Sequence, residues 1–138
     1  MYEKILVTLD ATPTDRAIIQ HIKLLAKTLG SRVVLLHVAD GWAARTFAEN
    51  AISAEIQEDE VYLKKICDEF LAAEIPTEAE LAYGEPVKEI IRWVEENHCD
   101  LVAMSMHGHR FIADFFLGTT VTKVRHRLSV PLLLIKAR

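Results

Sequence analysis

Asp100-Leu101-Val102-Ala103-Met104-Ser105-Met106-His107-Gly108, then nine residues, then Gly118-Thr119-Thr120: the reading of this stretch decides the fold. The apolar run from Asp100 to Ser105 reads as a buried strand, and Gly118 to Arg127 as the helix after it. A strand that opens into a small-residue loop and then a helix start is where α/β proteins hold phosphates. Glycine lets the main chain approach the ligand closely, and the unpaired N–H groups of the helix start point at the anion. Thr119, beside the second glycine, adds a hydroxyl donor. The stretch therefore predicts a nucleotide or a similar phosphate compound at the end of a strand.

Working outward, short apolar runs alternate with amphipathic segments of helix length, which is the pattern of a parallel sheet covered on both faces. Lys4 to Leu9 reads as the first strand, Thr14 to Leu29 as a helix, and Arg32 to Val38 as the second strand. Ala39 to Asn50 reads as a loop with some helical character, with Trp42 and Phe47 packing back onto the body or a partner. A second helix follows over Ala51 to Ala73. Thr77 to Tyr83 is the third strand, Pro86 to Asn97 a helix, and Pro131 to Lys136 the last strand. The expected product is one domain spanning residues 1–138, a doubly wound α/β fold with a five-stranded parallel sheet.

Composition bounds the function. The 138 residues are 51% hydrophobic and 26% charged, values of a soluble globular protein. A formal net charge of −4 argues against nucleic acid or an anionic membrane as main partner. Lys123, Arg125, His126 and Arg127 are the one basic cluster, and they suit the end of a helix, where cations complement the macrodipole. The two cysteines, Cys67 and Cys99, have no metal-ligand spacing and read as reduced thiols. The first strand begins at Lys4, leaving no room for a signal peptide, and no apolar run approaches a membrane span. A cytoplasmic protein is expected.

In open parallel sheets, ligands bind beyond the carboxyl ends of the strands, where strand order reverses. If the first and fourth strands are neighbours there, Asp10 and Gly108 face each other across the crevice. Asp10 can accept hydrogen bonds from a ribose. Ser105, Gly108, His109, Gly118, Thr119 and Thr120 would offer amides and hydroxyls to phosphates, and Arg110 compensating charge. His37, His107 and His109 invite a metal reading, but no carboxylate or cysteine joins them at ligand spacing, so no metal site is expected. Phosphoryl transfer needs a positioned water and charge neutralisation. No paired carboxylates or Lys-Ser/Thr phosphate motif stand nearby, so no catalytic residue is assigned.

These residues together resemble the universal stress protein family along essentially the whole chain. Ile5-Leu6-Val7-Thr8-Leu9-Asp10-Ala11-Thr12 is similar to that family's ILVPxDGS opening. Leu35-Leu36-His37-Val38 resembles its second strand, Gly84-Glu85-Pro86 its third strand-to-helix turn, and Val130-Pro131-Leu132-Leu133-Leu134-Ile135 its last strand. The family's ATP-binding branch carries G-x-x-G, nine residues, then G-S/T. Gly108, the spacer, Gly118 and Thr119 fit that pattern, Ser105 replaces its first glycine, and Thr8 and Ala11 replace the proline and glycine of the opening.

The resemblance implies strand order 3-2-1-4-5, the adenine nucleotide alpha-hydrolase-like arrangement, and a homodimer joined through the last strands. It implies ATP, or ADP, AMP or cyclic AMP in the same place, with Mg2+ accompanying ATP. Carried over, Thr8 and Asp10 flank the nucleoside and Val38 offers main-chain groups to adenine. Met104 and Ser105 line the pocket floor, and Gly108, Gly118, Thr119 and Thr120 hold the phosphates. The expected function is an ATP-binding regulatory or stress-response module with an unidentified protein partner. A nucleotide-free interaction protein of the same fold, and a slow ATPase using His107 or His109, stand as alternatives.

Overall fold

Five parallel strands in the order β3-β2-β1-β4-β5 form the sheet of the computed structural model, which describes residues 1–40, 49–106 and 112–137. The strands are β1 (Lys4–Thr8), β2 (Arg32–Asp40), β3 (Thr77–Gly84), β4 (Leu101–Met106) and β5 (Leu132–Lys136). The helices are α1 (Arg16–Leu29), α2 (Glu49–Ala72), α3 (Pro86–Asn97) and α4 (Ile112–Arg127), and a single 3-10 turn, Pro13–Asp15, precedes α1. The expected doubly wound sheet and its strand order are both observed.

The period-two alternation of strands assigns the two faces. Ile5, Val7, Val33, Leu35, Leu101 and Ala103 point to one side, where Ile18, Ile19 and Ile22 of α1 and Leu63, Ile66 and Phe70 of α2 meet them. Leu6, Val34, Leu36, Val102 and Met104 point to the other, against Val87, Ile90 and Val94 of α3 and Val124 of α4. The central strands are apolar on both faces because both faces are covered.

Polar groups fix the ends of the elements. The Asp100 carboxylate accepts from the Glu3 and Lys4 amides at 2.9 and 3.0 Å, pinning the entry of β4 beside the start of β1. Helix α1 stops at Gly30, whose φ of +70° suits a residue without a Cβ and whose N–H reaches the Ala26 carbonyl. Glu85 caps α3, its carboxylate accepting from the Val87 and Lys88 amides, and Pro86 follows at the first helical position.

Several element limits differ from expectation, among them the start of α2 at Glu49 rather than Ala51, and three bear on the site. Strand β2 runs on to Asp40, two residues beyond Val38, and stays paired to β3 along that extension. The segment Pro13–Asp15 is a 3-10 turn rather than the first turn of α1. Helix α4 begins at Ile112, not at Gly118. The reason for the last lies in the spacer. No proline or glycine interrupts residues 112–117, and Leu117, Val121, Val124 and Leu128 recur at helical spacing, so the helical pattern extends back through the spacer.

Candidate functional site

At the carboxyl ends of β1 and β4 the chain leaves the sheet in opposite directions. Strand β1 leads to α1 on one face, and β4 to α4 on the other. Strand order reverses here, and the gap forms a crevice of about 310 Å³. Its lining divides by chemistry. Leu36, Val38, Pro86, Ile90, Met104 and Val121 form an apolar part, and Thr8, Asp10, Thr12, His37, Ser105 and Thr120 a polar one.

Hydrogen-bond polarity explains why Val38 matters. Leu9 N–H donates to the Leu36 carbonyl at 2.8 Å, so the main-chain groups of Leu36 point toward β1. Along a parallel strand those groups alternate sides, so Val38 directs its N–H and C=O the same way. Pairing of β1 with β2 ends at Thr8 and Leu36. The Val38 donor–acceptor pair is therefore presented at the crevice, beyond the last residue of β1, between apolar walls.

The loop after β1 is shaped by one carboxylate. Asp15 is wholly buried. Its oxygens accept from the amides of Asp10 (2.9 Å), Ala11 (2.9 Å) and Thr12 (3.4 Å), and from the Tyr62 hydroxyl of α2 at 2.7 Å. Burial and this hydrogen bond together push the Tyr62 phenol well above its ordinary value. The turn forces Ala11 to φ +61°, a left-handed conformation that costs a residue with a Cβ about 1–2 kcal/mol. With these three amides satisfied by Asp15, the loop brings the side chains of Asp10 and Thr12 to the crevice.

His37 serves the same loop. Its Nδ1 lies 2.8 Å from the Leu9 carbonyl, which can only accept, so Nδ1 carries the proton. Its Nε2 lies 3.4 Å from Asp59 of α2. Asp15 and His37 thus tie α2 to the end of β1 from two sides. Among the described residues, no group of three or more His, Cys, Asp and Glu could hold a metal ion.

Of the expected site residues, Thr8, Asp10, Val38, Met104, Ser105 and Thr120 all line the one crevice. Gly108 and His109 lie outside the described residues, as do His107, Arg110, Trp42 and Phe47. Gly118 and Thr119 stand about two turns inside α4, and Thr120 follows them. Their amides are thus not those of a helix start, which belong to the first four residues from Ile112. This corrects the expected geometry of the anion cradle.

A helix beginning at Thr14, as the sequence pattern predicts, places Asp15 in its first turn and gives it no part in the loop. The Thr12-x-x-Asp15 spacing, a capping pattern before an apolar helix, was the signal available. Pro86 and Ile90 were read as helix residues alone, and only the fold brings them to the crevice.

A doubly wound α/β protein with a two-part crevice at its switch point is the class that fold and site define. The chain belongs to the universal stress protein family, whose pattern it matches over residues 1–136. One relative is universal stress protein MJ0577 from Methanocaldococcus jannaschii, 25% identical, with 100% of this chain and 97% of the relative aligned. A solved structure of MJ0577 superposes with a TM-score of 0.86 at 24% identity, covering 100% of this chain and 98% of that one. A universal stress protein solved in complex with cAMP matches with a TM-score of 0.72 at 19% identity, over 98% of this chain and 97% of that chain. One from Archaeoglobus fulgidus, in complex with dAMP, gives 0.73 at 19%, over 98% of both chains.

Proposed function

We propose that this chain binds an adenine nucleotide, ATP first among them, in the crevice between β1 and β4, and acts as a regulatory stress-response module. The observation that carries the reading is the crevice's division. A flat base fits between Val38, Met104, Pro86 and Ile90, with the outward Val38 amide and carbonyl matching the edge of adenine. Asp10 and Thr8 take the ribose. Ser105, Thr119 and Thr120 offer hydroxyls and Gly108 and His109 amides to the phosphates, Gly118 leaves room for their close approach, and Mg2+ accompanies a triphosphate. The adenine nucleotides bound by two structural relatives support the same chemistry. Titration calorimetry with purified protein is expected to show saturable heat for ATP, and no heat for ATP, ADP, AMP or cyclic AMP would overturn the reading.

One observation favours a second reading, a nucleotide-free interaction protein. With α4 starting at Ile112, the amides of Gly118 to Thr120 fall where helices use them internally. That reading expects a melting temperature indifferent to millimolar ATP, whereas bound nucleotide raises it by mass action.

The proposed assembly is a homodimer through β5, working in the cytoplasm with a further protein partner. Strand β5 is a sheet edge, and Leu132, Leu133, Leu134 and Ile135 are each only half-buried. Pro131 C=O and Ala137 N–H bond to β4, so by alternation Leu134 points its main-chain groups outward. An apolar edge with unpaired amides favours strand-to-strand association. Leu134→Pro removes an outward N–H without a bond to β4, and is expected to turn a dimer into a monomer in analytical ultracentrifugation. A dimer that survives the change would place the interface elsewhere.

A further inference from the structure

Three polar or charged residues are buried among the described residues: Asp15, Ser31 and Ser105. Asp15 accepts four hydrogen bonds. Ser31 Oγ donates to the Tyr2 carbonyl. Ser105 Oγ has no hydrogen-bond partner among the described residues, although the residue is only 8% exposed. An orphaned hydroxyl in a protein interior is unfavourable, because its water contacts are lost and nothing replaces them. Ser105 lines the crevice. It stands two residues beyond the last paired rung of β1 and β4, Val7 with Ala103, close to the lip where Asp10 departs.

We propose that the Ser105 hydroxyl is a phosphate-recognising group, donating to an oxygen of the phosphate nearest the sugar. This rests on the nucleotide reading above and names the part of the ligand the serine reads. Two features favour phosphate over sugar. A carboxylate only accepts, so Asp10 suits the ribose hydroxyls, which donate. Among the described residues the amides of Asp10, Ala11 and Thr12 are committed to Asp15 and those of Val87 and Lys88 to Glu85, and the outward Val38 amide is placed for the base. A hydroxyl donor suits an anion there, and among the described crevice hydroxyls that of Ser105 is the one buried without a partner. Ser105 is also where the resemblance expects glycine, so the contact is a property of this chain and gives it a phosphate donor that a glycine lacks.

The test titrates adenosine, AMP and ATP into the wild type, Ser105→Ala and Ser105→Gly, and melts each protein without ligand. Ser105→Ala is expected to weaken AMP and ATP about tenfold, as fits loss of one hydrogen bond to a charged oxygen, and to leave adenosine within about twofold. The unliganded Ser105→Ala protein is expected to melt no lower than wild type, since it loses only an unsatisfied hydroxyl. Unchanged AMP affinity would overturn the proposal, as would an equal loss for adenosine, which marks a sugar contact. Tighter binding by Ser105→Gly would overturn it too, by showing that the side chain crowds the ligand. A wild type that binds neither AMP nor ATP removes the nucleotide reading itself, and the serine's role with it. A wild type that binds both while Ser105→Ala matches it removes the serine's role alone.

Discussion

Replacing Asp15 by alanine is expected to lower stability by about 3 kcal/mol, a fall of about 10 °C in melting temperature for a chain of this size. Three loop amides and the Tyr62 hydroxyl lose their acceptor together. The loop amides can recover some bonds to water because Ala11 and Thr12 are near the surface, which keeps the loss below a full sum of four desolvation costs. Nucleotide affinity falls with stability, since Asp10 and Thr12 leave their positions at the crevice. Asp15→Asn keeps one carbonyl oxygen and is expected to recover about half of the stability. Thermal unfolding by circular dichroism measures both, and an Asp15→Ala protein that melts with the wild type would show that the loop holds its shape without the carboxylate.

Thr120→Glu is expected to weaken ATP binding by more than a hundredfold and leave the fold intact. Thr120 lines the crevice and lies inside α4, where glutamate has slightly better helix propensity than threonine. A carboxylate within about 5 Å of a phosphate costs roughly 3 kcal/mol per charge pair at an effective dielectric constant of 20. Thr120→Gln separates size from charge and is expected to lose far less. Raising the salt concentration should narrow the gap between the Glu and Gln variants, because exposed charges are screened. Equal ATP affinity in Thr120→Glu and wild type would put the phosphates elsewhere in the crevice.

Much of the fold was legible because its signals are local. Ile5-Leu6-Val7 and Val33-Val34-Leu35-Leu36 are continuous apolar runs, which only a doubly covered sheet accommodates, and Pro86 and Gly30 mark helix ends by their own stereochemistry. The strand ends therefore fell near their observed places, and Thr8, Asp10, Val38, Met104, Ser105 and Thr120 could be named before the crevice was seen. Non-local facts were not legible. The work of Asp15 depends on Tyr62, 47 residues away, and the burial of Ser105 on the folded sheet around it. The start of α4 was misjudged for a different reason. Gly118 reads as a helix boundary by residue type, yet one glycine costs a helix only about 1 kcal/mol, and the apolar periodicity on both sides outweighs it.

Strand β2 outruns β1 by four residues, His37 to Asp40, each paired on one side with β3. The sheet is thus built with a vacant rung next to its centre. Whatever planar group docks there, with a donor and an acceptor along one edge, stands in for the residue that β1 does not supply. Lengthening β1 by a residue or two of regular strand would seal the cleft with the protein's own backbone, so the proposed capacity to take a ligand and the early ending of that strand are the same property.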